Sequence, residues 1–328
     1  MISIGFFNNK GGVGKTTLLC NIAAALAKDH KILVIDGDPQ CNASAYLLPE
    51  IDLDEILLNK SDGNIDSFYE PIRKGKGYPQ KIPDVARSER FNLDVIPGDP
   101  NLSLREDLLA QDWAATRNGE PRGFQTTFAI RELIGRFDKY DYVLVDMGPS
   151  LGALNRSILL GVDYFIMPLS VDIFSLMAIA NILQSFKTWQ EDLGDAIQRH
   201  IRQEKEEFIV GGQAVAWKLK FAGYVMQQYH AKTREGERRA VVAYDKIIQA
   251  QKTEVVELCK HFDVEPEEAV LGEVPALHSL VPLSQQAHAP ISDLGSRDGI
   301  VGSHYQRVAE ATKIFNEISA KLVRGVSK

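Results

Sequence analysis

The chain has 328 residues, of which 45% are hydrophobic and 25% are charged, and its formal net charge is −7. A chain of this length and composition can bury a large core, which predicts one sizeable α/β domain, or one domain with insertions. No uninterrupted apolar run approaches the roughly 20 residues that span a bilayer. The acidic balance argues against a surface that attracts nucleic acid over its whole extent, but it allows a local basic patch.

The cysteines and the amino-terminal residues both bear on location. Cys20, Cys41 and Cys259 form no CxxC pair and indicate no disulfide framework. Met1 leads directly into an apolar run, without the pattern of a signal peptide. Together these features favour a reduced, cytoplasmic location.

A glycine-rich segment at residues 8–17, NNKGGVGKTT, is the most informative motif of the chain. It follows an apolar run (residues 2–7) that is short enough to be a buried strand, and it precedes apolar residues at helical spacing. In such a strand, turn and helix, backbone N–H groups and the helix N-terminus surround a polyphosphate. Lys15 supplies positive charge to the β- and γ-phosphates, and the Thr16 hydroxyl can ligate magnesium. The residues predicted to bind nucleotide here are Gly11, Gly12, Val13, Gly14, Lys15, Thr16 and Thr17.

The same loop contains a second lysine, Lys10, and has Asn9 where the general motif G-x-x-x-x-G-K-[ST] has its first glycine. In this respect it resembles the deviant Walker A motif, K-G-G-x-G-K-[ST], of the ParA/MinD family of ATPases. The resemblance implies ATP and Mg²⁺ as cofactors. It also implies that Lys10 crosses a face-to-face homodimer to the nucleotide of the partner subunit, where added positive charge stabilises the transferred phosphoryl group.

A second buried strand is predicted at residues 31–35, and it ends in the sequence DGDPQ. Acidic residues at the carboxyl end of a parallel strand face the crevice in which such folds bind ligands. The sequence D-x-D-P-Q also resembles the switch I motif of the ParA-like family. This resemblance implies that Asp38 orients the attacking water and that Asp36 lies near the magnesium. The alternative is a turn whose aspartates cap a helix.

The third element is the apolar strand predicted at residues 142–146, which ends in an acid, Asp146. This is the Walker B arrangement, whose aspartate holds magnesium directly or through water. Residues 147–152, MGPSLG, resemble the family's switch II, D-x-P-P-S-L-G. Gly148 replaces the first proline, and we expect this change to loosen the switch.

Three later segments complete the predicted sheet and its ligand edge. A strand at residues 164–169 is followed by Ser170 and Asp172, which stand where the family usually has P-x-Q-P-E. Strands are also predicted at residues 221–226 and from residue 270 onward. Two pairs of residues at these last strand ends occupy the places where relatives contact the adenine. They are Met226 and Gln227, for which a plain strand end is the alternative, and Pro275 and Leu277.

The segment around 51–124 falls outside the resemblance, and we interpret it as an insertion within a single domain that spans 1–328. Residues 91–98 suit a strand. Farther along, residues 232–239 mix basic side chains with few acids, so they form either a loop that contacts DNA phosphates or an ordinary exposed loop. The candidate nucleic-acid residues are Lys232, Arg234, Arg238 and Arg239.

The terminal helix carries an apolar stripe formed by Val308, Ala311, Phe315, Ile318 and Leu322. MinD proteins end in an amphipathic segment that binds membranes, whereas a lone apolar stripe usually packs on its own domain. We expect this helix to pack on the core, and contact with a membrane is disfavoured.

These motifs predict an α/β fold with a mostly parallel twisted sheet and helices on both faces, of the P-loop NTPase type. The resemblance implies a weak ATP hydrolase that dimerises with ATP, binds nonspecific DNA and is stimulated by a ParB-like or other activating protein. Such a protein acts in plasmid or chromosome partition or in intracellular positioning, and it is cytoplasmic or associated with the nucleoid. Alternatives are a MinD-like ATPase at the membrane surface and a redox relative of the nitrogenase iron protein. The cysteines are poorly placed for the redox function.

Overall fold

The computed structural model describes residues 1–58, 63–170, 172–227 and 251–327. Within these ranges the strands form one eight-stranded sheet and one two-stranded hairpin. The strands are β1 Ile2–Phe6, β2 Ile32–Asp36, β3 Ala86–Ser88, β4 Leu93–Ile96, β5 Tyr142–Asp146, β6 Tyr164–Ser170, β7 Ile209–Val210, β8 Gln213–Ala214, β9 Lys220–Gln227 and β10 Val270–Val274.

The described helices connect these strands. They are α1 Lys15–Leu26, α2 Asn42–Leu47, α3 Glu50–Leu58, α4 Asp66–Arg73, α5 Arg105–Arg117, α6 Pro121–Thr127, α7 Ala129–Gly135, α8 Ala153–Gly161, α9 Ile173–Glu204, α10 with residues 251–261 as its described part, α11 Leu280–Gln286 and α12 His304–Val326. Short 3₁₀ helices cover Pro100–Leu104, Ile291–Asp293 and Ser296–Asp298.

The large sheet has the strand order β10-β9-β6-β1-β5-β2-β4-β3. Neighbouring strands are parallel except β3, which runs antiparallel to β4 at one edge. Non-adjacent strands in the chain become neighbours in the sheet, which requires the crossover helices that parallel pairing always needs.

The strands are apolar on both faces because both faces are covered. Successive residues of β2 alternate between two separate cores: Leu33 lies in one and Val34 in the other. In β5 the same alternation sends Val143 to the first core and Leu144 to the second. Residues of α5, α7, α8 and α9 complete the first core, and residues of α1, α2 and α12 complete the second. The predicted fold class, a mostly parallel sheet with helices on both faces, is confirmed.

The terminal helix packs on its own domain, as we expected. Its apolar stripe is buried in the second core, where α12 lies against α1 and β10. Phe315, for example, is 3% exposed. Within the described ranges, no helix combines the length and the apolar composition that crossing a bilayer requires.

The segment around 51–124 is an integral part of both layers. It supplies β4, which pairs with β2, the strand that ends in Asp36, and so confirms the strand predicted at residues 91–98. It also supplies α5, which packs against α6, α8 and α9. The interpretation of this segment as an insertion in a single domain spanning 1–328 stays a prediction.

The parallel register brings the three predicted motifs to one edge of the sheet. Phe6 at the end of β1 is level with Asp146 at the end of β5, and Asp146 is level with Asp36 at the end of β2. The glycine-rich loop follows β1 directly. Segments more than 100 residues apart in sequence therefore meet at the carboxyl ends of adjacent strands, which is where open α/β sheets bind ligands.

Candidate functional site

The glycine-rich loop turns sharply between β1 and α1. Gly12 and Gly14 have φ angles of +73° and +77°, a region that residues with a Cβ atom rarely adopt. Gly14 is the residue that precedes the first turn of α1. The loop therefore presents backbone N–H groups and a helix N-terminus to the same space, the arrangement that binds phosphate.

Lys15 begins α1 and is only 7% exposed. Its Nζ donates a hydrogen bond to the Lys10 carbonyl oxygen at 3.1 Å. Burial lowers the pKa of Lys15, while the nearby carboxylates of Asp146 and Asp38 oppose that shift. A buried ammonium group in this position fits an anionic ligand that would complete its hydrogen bonds.

Thr16 and Asp146 form the core of the predicted magnesium site. The Thr16 hydroxyl donates to Asp146 Oδ2 at 2.7 Å. Asp146 is fully buried, and its Oδ1 has no hydrogen-bond partner in the described part of the chain. Burial, together with the charge of Asp36, raises the pKa of Asp146 to about 8. A buried carboxyl oxygen without a partner fits the binding of a cation such as magnesium.

Asp36 is also fully buried, but its oxygens are engaged. Oδ2 accepts hydrogen bonds from the Ser44 backbone N–H at 2.7 Å and the Ser44 hydroxyl at 2.6 Å, and Oδ1 accepts from the Asp38 N–H at 3.2 Å. Burial raises the pKa of Asp36 to about 6, and the Ser44 hydrogen bonds limit the shift. Both oxygens of Asp36 therefore already accept hydrogen bonds, so Asp146 Oδ1 is the better candidate to bind magnesium.

Among the described residues, no three His, Cys, Asp or Glu side chains form a group that could hold a metal ion. Magnesium is commonly held by one or two protein oxygens, the phosphates of a nucleotide and water. The donor set of Thr16 and Asp146 fits that mode of binding.

Asp38 lies on the loop after β2 and is 5% exposed. Its Oδ1 accepts a hydrogen bond from the Gln40 N–H at 3.0 Å. The backbone of Gly148 lies close by: a Cβ atom at position 148 would stand 3.2 Å from Asp38 Oδ1. The glycine at this position thus allows the loops that follow β2 and β5 to approach each other. The expectation that Gly148 loosens the switch stays a prediction.

The Lys10 side chain contacts Ser170 and Asp172, two residues to which the sequence motifs assign no role. Its ammonium group pairs with the Asp172 carboxylate and donates to the Ser170 hydroxyl at 3.2 Å. Asp172 also caps α9, since its Oδ1 accepts from the N–H groups of Phe174 and Ser175. Burial opposes ionisation of Asp172, but the hydrogen bonds from Lys10 and Ser170 lower its pKa to about 2. The sequence held one indication of this contact: Ser170 and Asp172 lie in the segment that differs from the family's P-x-Q-P-E pattern.

A cavity of about 490 Å³ opens in front of the glycine-rich loop. It brings together the predicted loop residues and Asp38 with several residues that sequence reasoning missed. The lining consists of Gly11, Gly12, Val13, Gly14, Lys15, Thr16, Thr17, Asp38, Gln40, Asn42, Ala45, Tyr46, Pro149 and Gln285.

The predicted base contacts are only partly near this cavity. Gln227 lies beside the loop, because a Cβ atom at Gly14 would stand 3.4 Å from its Oε1. Met226, Pro275 and Leu277 do not line the cavity, and their contact with a base stays a prediction. The four candidate nucleic-acid residues, Lys232, Arg234, Arg238 and Arg239, lie outside the described residues.

Comparison with known proteins identifies the family. The family model AAA_31, described as an AAA domain, matches residues 1–199, more than half of the chain. The chain belongs to this family. Its ParA/MinD-type phosphate loop and its ParA-named relatives confirm the resemblance on which the sequence analysis relied.

Among the relatives, the chromosome partitioning protein ParA of Myxococcus xanthus is 29% identical over 187 residues, which are 57% of this chain and 58% of that protein. The chain thus covers little more than half of that relative's length. The solved structure of protein DIP2308 from Corynebacterium diphtheriae is 29% identical, covers 88% of this chain and 97% of its own, and has a TM-score of 0.68. McdA of Cyanothece, solved in complex with ATP, is 15% identical, covers 98% of this chain and 96% of its own, and has a TM-score of 0.63, which supports the fold alone.

The buried Asp146 carboxyl predicts a pH-dependent stability of the nucleotide-free protein. Because its pKa of about 8 lies above its ordinary value of 3.8, the folded protein keeps a proton that the unfolded chain releases. The free energy of unfolding therefore falls as pH rises between these values, by up to about 1.4 kcal/mol per pH unit. We expect Asp146→Asn to remove this fall in urea unfolding between about pH 6 and pH 8. Asp138→Asn, at an exposed position, is the control. If the reference protein and both variants show the same slope of unfolding free energy against pH, the assignment to Asp146 is wrong.

Proposed function

We propose that this protein is a ParA-like ATPase that binds ATP with Mg²⁺, dimerises around the nucleotide and hydrolyses it slowly. The observation that carries the proposal is the convergence of Lys15, Thr16, Asp38 and Asp146 at one edge of the sheet, beside a glycine-rich loop. A buried ammonium group and a buried Asp146 carboxyl oxygen that has no partner among the described residues both fit a magnesium nucleotide.

Each residue of the site has a defined task in this proposal. The N–H groups of the loop and the Lys15 ammonium bind the phosphates, and Thr16 and Asp146 hold the magnesium. Bound ATP supplies the phosphoryl group that is transferred to water. Asp38 orients that water, and Asp36 keeps the Asp38 loop in place through its hydrogen bond with the Asp38 N–H. Met226, Gln227, Pro275 and Leu277 contact the adenine at the ends of β9 and β10.

Lys10 acts on the nucleotide of the other subunit. In this structure its ammonium pairs with Asp172 of the same chain, and both side chains are about one-third exposed, at 27% and 31%. An ion pair exposed to this extent contributes little to stability, so it can be exchanged at small cost for a contact with phosphate. ATP then favours the dimer because its phosphates bind Lys10 only in that state.

The ATP-bound dimer binds DNA without sequence specificity, and a ParB-like or other activating protein stimulates hydrolysis. The name of the Myxococcus xanthus relative, a chromosome partitioning protein, supports a role in partition or in positioning of cargo. A cytoplasmic location, on the nucleoid when DNA is bound, follows from this role. A MinD-like action at membranes is disfavoured because the apolar face of α12 is buried against α1 and β10.

Lys15→Ala tests the nucleotide site. Removal of this charge leaves the phosphates without their main cation, so we expect ATP turnover to fall at least about 100-fold. Steady-state phosphate release measures this. Lys31→Ala, at an exposed lysine on the opposite end of β2, is the matched control and should turn over ATP normally. Normal turnover by Lys15→Ala would refute the phosphate-loop assignment.

Lys10→Ala separates nucleotide binding from dimerisation. We expect its affinity for a fluorescent ATP analogue to stay within about threefold of the reference protein, because Lys15 remains in place. Dimer formation with ATP, measured by light scattering, should be lost. Lys28→Ala, at an exposed lysine just beyond the carboxyl end of α1, should dimerise as the reference protein does. If Lys10→Ala dimerises equally well, its role in trans is wrong.

DNA binding should require ATP and weaken steeply with salt, since phosphate contacts release counterions. We expect Arg238→Ala combined with Arg239→Ala to weaken binding and to reduce the slope of log K against log salt by about 2. The control is Lys313→Ala with Lys321→Ala, which removes the same charge from α12. Binding that is independent of ATP or of salt would contradict the proposal. ATP-dependent sedimentation with anionic vesicles would favour the membrane alternative.

A further inference from the structure

The first turn of α5 is fixed by a buried ion pair. The Arg105 guanidinium binds the Asp66 carboxylate through two hydrogen bonds of 2.7 Å each, and it donates to Glu70 at 3.0 Å. Arg105 is 7% exposed. A two-pronged pair of this kind fixes direction as well as distance. The start of α5 is therefore tied firmly to α4, within the segment that showed no motif.

The next residue, Glu106, reaches a different helix. Its Oε1 accepts a hydrogen bond from the Ala153 N–H, and its Oε2 accepts from the Leu154 N–H at 3.0 Å. These are the first two N–H groups of α8, which helical hydrogen bonding leaves without partners. The residue that precedes α8 is Gly152, which has no side chain to cap it. Glu106 thus caps α8 from outside, and its charge suits the positive end of the helix.

The absence of a side chain at Gly152 leaves space for the Glu106 carboxylate. A Cβ atom at position 152 would overlap Glu106 Oε1 and stand 3.0 Å from Glu106 Cδ. The φ angle of Gly152 is −73°, which any residue can adopt. A side chain at position 152 would therefore require Glu106 to move, whereas the backbone conformation itself does not demand glycine.

The start of α8 in turn holds the loop that faces Asp38. Asn155 is 2% exposed, and its Nδ2 donates to the carbonyl oxygens of Gly148 and Ser150, both at 2.8 Å. Gly148 is the residue whose backbone approaches Asp38. A continuous path of hydrogen bonds and close contacts therefore runs from Glu106 through α8 and Asn155 to Asp38.

A second contact keeps α5 and α8 together. The Arg156 guanidinium of α8 lies 4.5 Å from the centre of the Trp113 ring of α5. A cation over an aromatic face is attracted most strongly where water is excluded. Both contacts involve the first turn of α8, so they hold the start of this helix against α5 at Glu106 and at Trp113.

We propose that Glu106 is a positioning residue for ATP hydrolysis: it holds the start of α8, and through Asn155 the loop at Gly148, in the place that orients Asp38. This inference rests on the proposed function. It assigns the segment around 51–124 a role in the reaction through α5. A cap that served stability alone would affect unfolding without a selective effect on turnover.

Glu106→Gln tests this proposal with little change of shape. The amide keeps one acceptor oxygen but turns an NH₂ group toward an N–H donor, so one of the two capping hydrogen bonds is lost. We expect kcat to fall about tenfold, while KM and the affinity for a fluorescent ATP analogue stay within about twofold. Asp107→Asn removes the exposed carboxylate of the adjacent residue and should leave kcat unchanged.

Gly152→Ala approaches the same contact from the other side. Its methyl group would displace Glu106, so we expect a similar loss of kcat. The two substitutions together should cost little more than one alone, because both remove a single contact. The melting temperature of each variant, measured without nucleotide, should stay above the assay temperature.

The outcomes separate the two proposals. If the reference protein hydrolyses ATP and Glu106→Gln has the same kcat, the inference is overturned and the proposed function stands. Equal losses of kcat and of nucleotide affinity, additive effects of the two substitutions, or losses that only follow unfolding would also overturn it. If the reference protein shows no turnover that depends on Lys15, both proposals fail.

Discussion

The site depends on two buried carboxylates that end adjacent strands. Asp36 and Asp146 are level with each other in the sheet, and both are fully buried. Burial and the neighbouring carboxyl groups raise the pKa values of both, while hydrogen bonds from Thr16 and Ser44 and the charge of Lys15 oppose these shifts. Such an arrangement costs stability in the absence of a ligand. In the proposed function, a bound magnesium nucleotide offsets this loss of stability because the magnesium ion supplies positive charge beside the two carboxyls.

Lys10 illustrates how one charged side chain can serve two states of a protein. In the single chain it binds Asp172, which also caps α9. The proposed dimer replaces that carboxylate by the phosphates of the other subunit. Because the ion pair is partly exposed, the exchange is close to balanced, and the nucleotide can decide it. The carboxylate left behind still caps α9, so the helix does not depend on Lys10.

In the proposed mechanism, the segment around 51–124 takes part in the site although it contains no recognisable motif. Its strand β4 extends the sheet beside β2, and its helix α5 carries Glu106 to the start of α8. The catalytic loops of this fold lie between a sheet edge and the helices that follow it. Any element that fixes the start of such a helix also fixes the loop before it.

The sequence alone determined the glycine-rich loop, the strands that end in Asp36 and Asp146, and the apolar stripe of α12. These features are local: a strand, turn or helix is read from residues within a few positions of one another. The pairing of Lys10 with Asp172, the cap that Glu106 provides for α8, and the presence of Gln285 in the cavity were decided only by the tertiary structure. Each of these contacts joins residues that are tens to hundreds of positions apart. Local sequence patterns cannot predict such contacts because they depend on how the strands are arranged in the folded sheet.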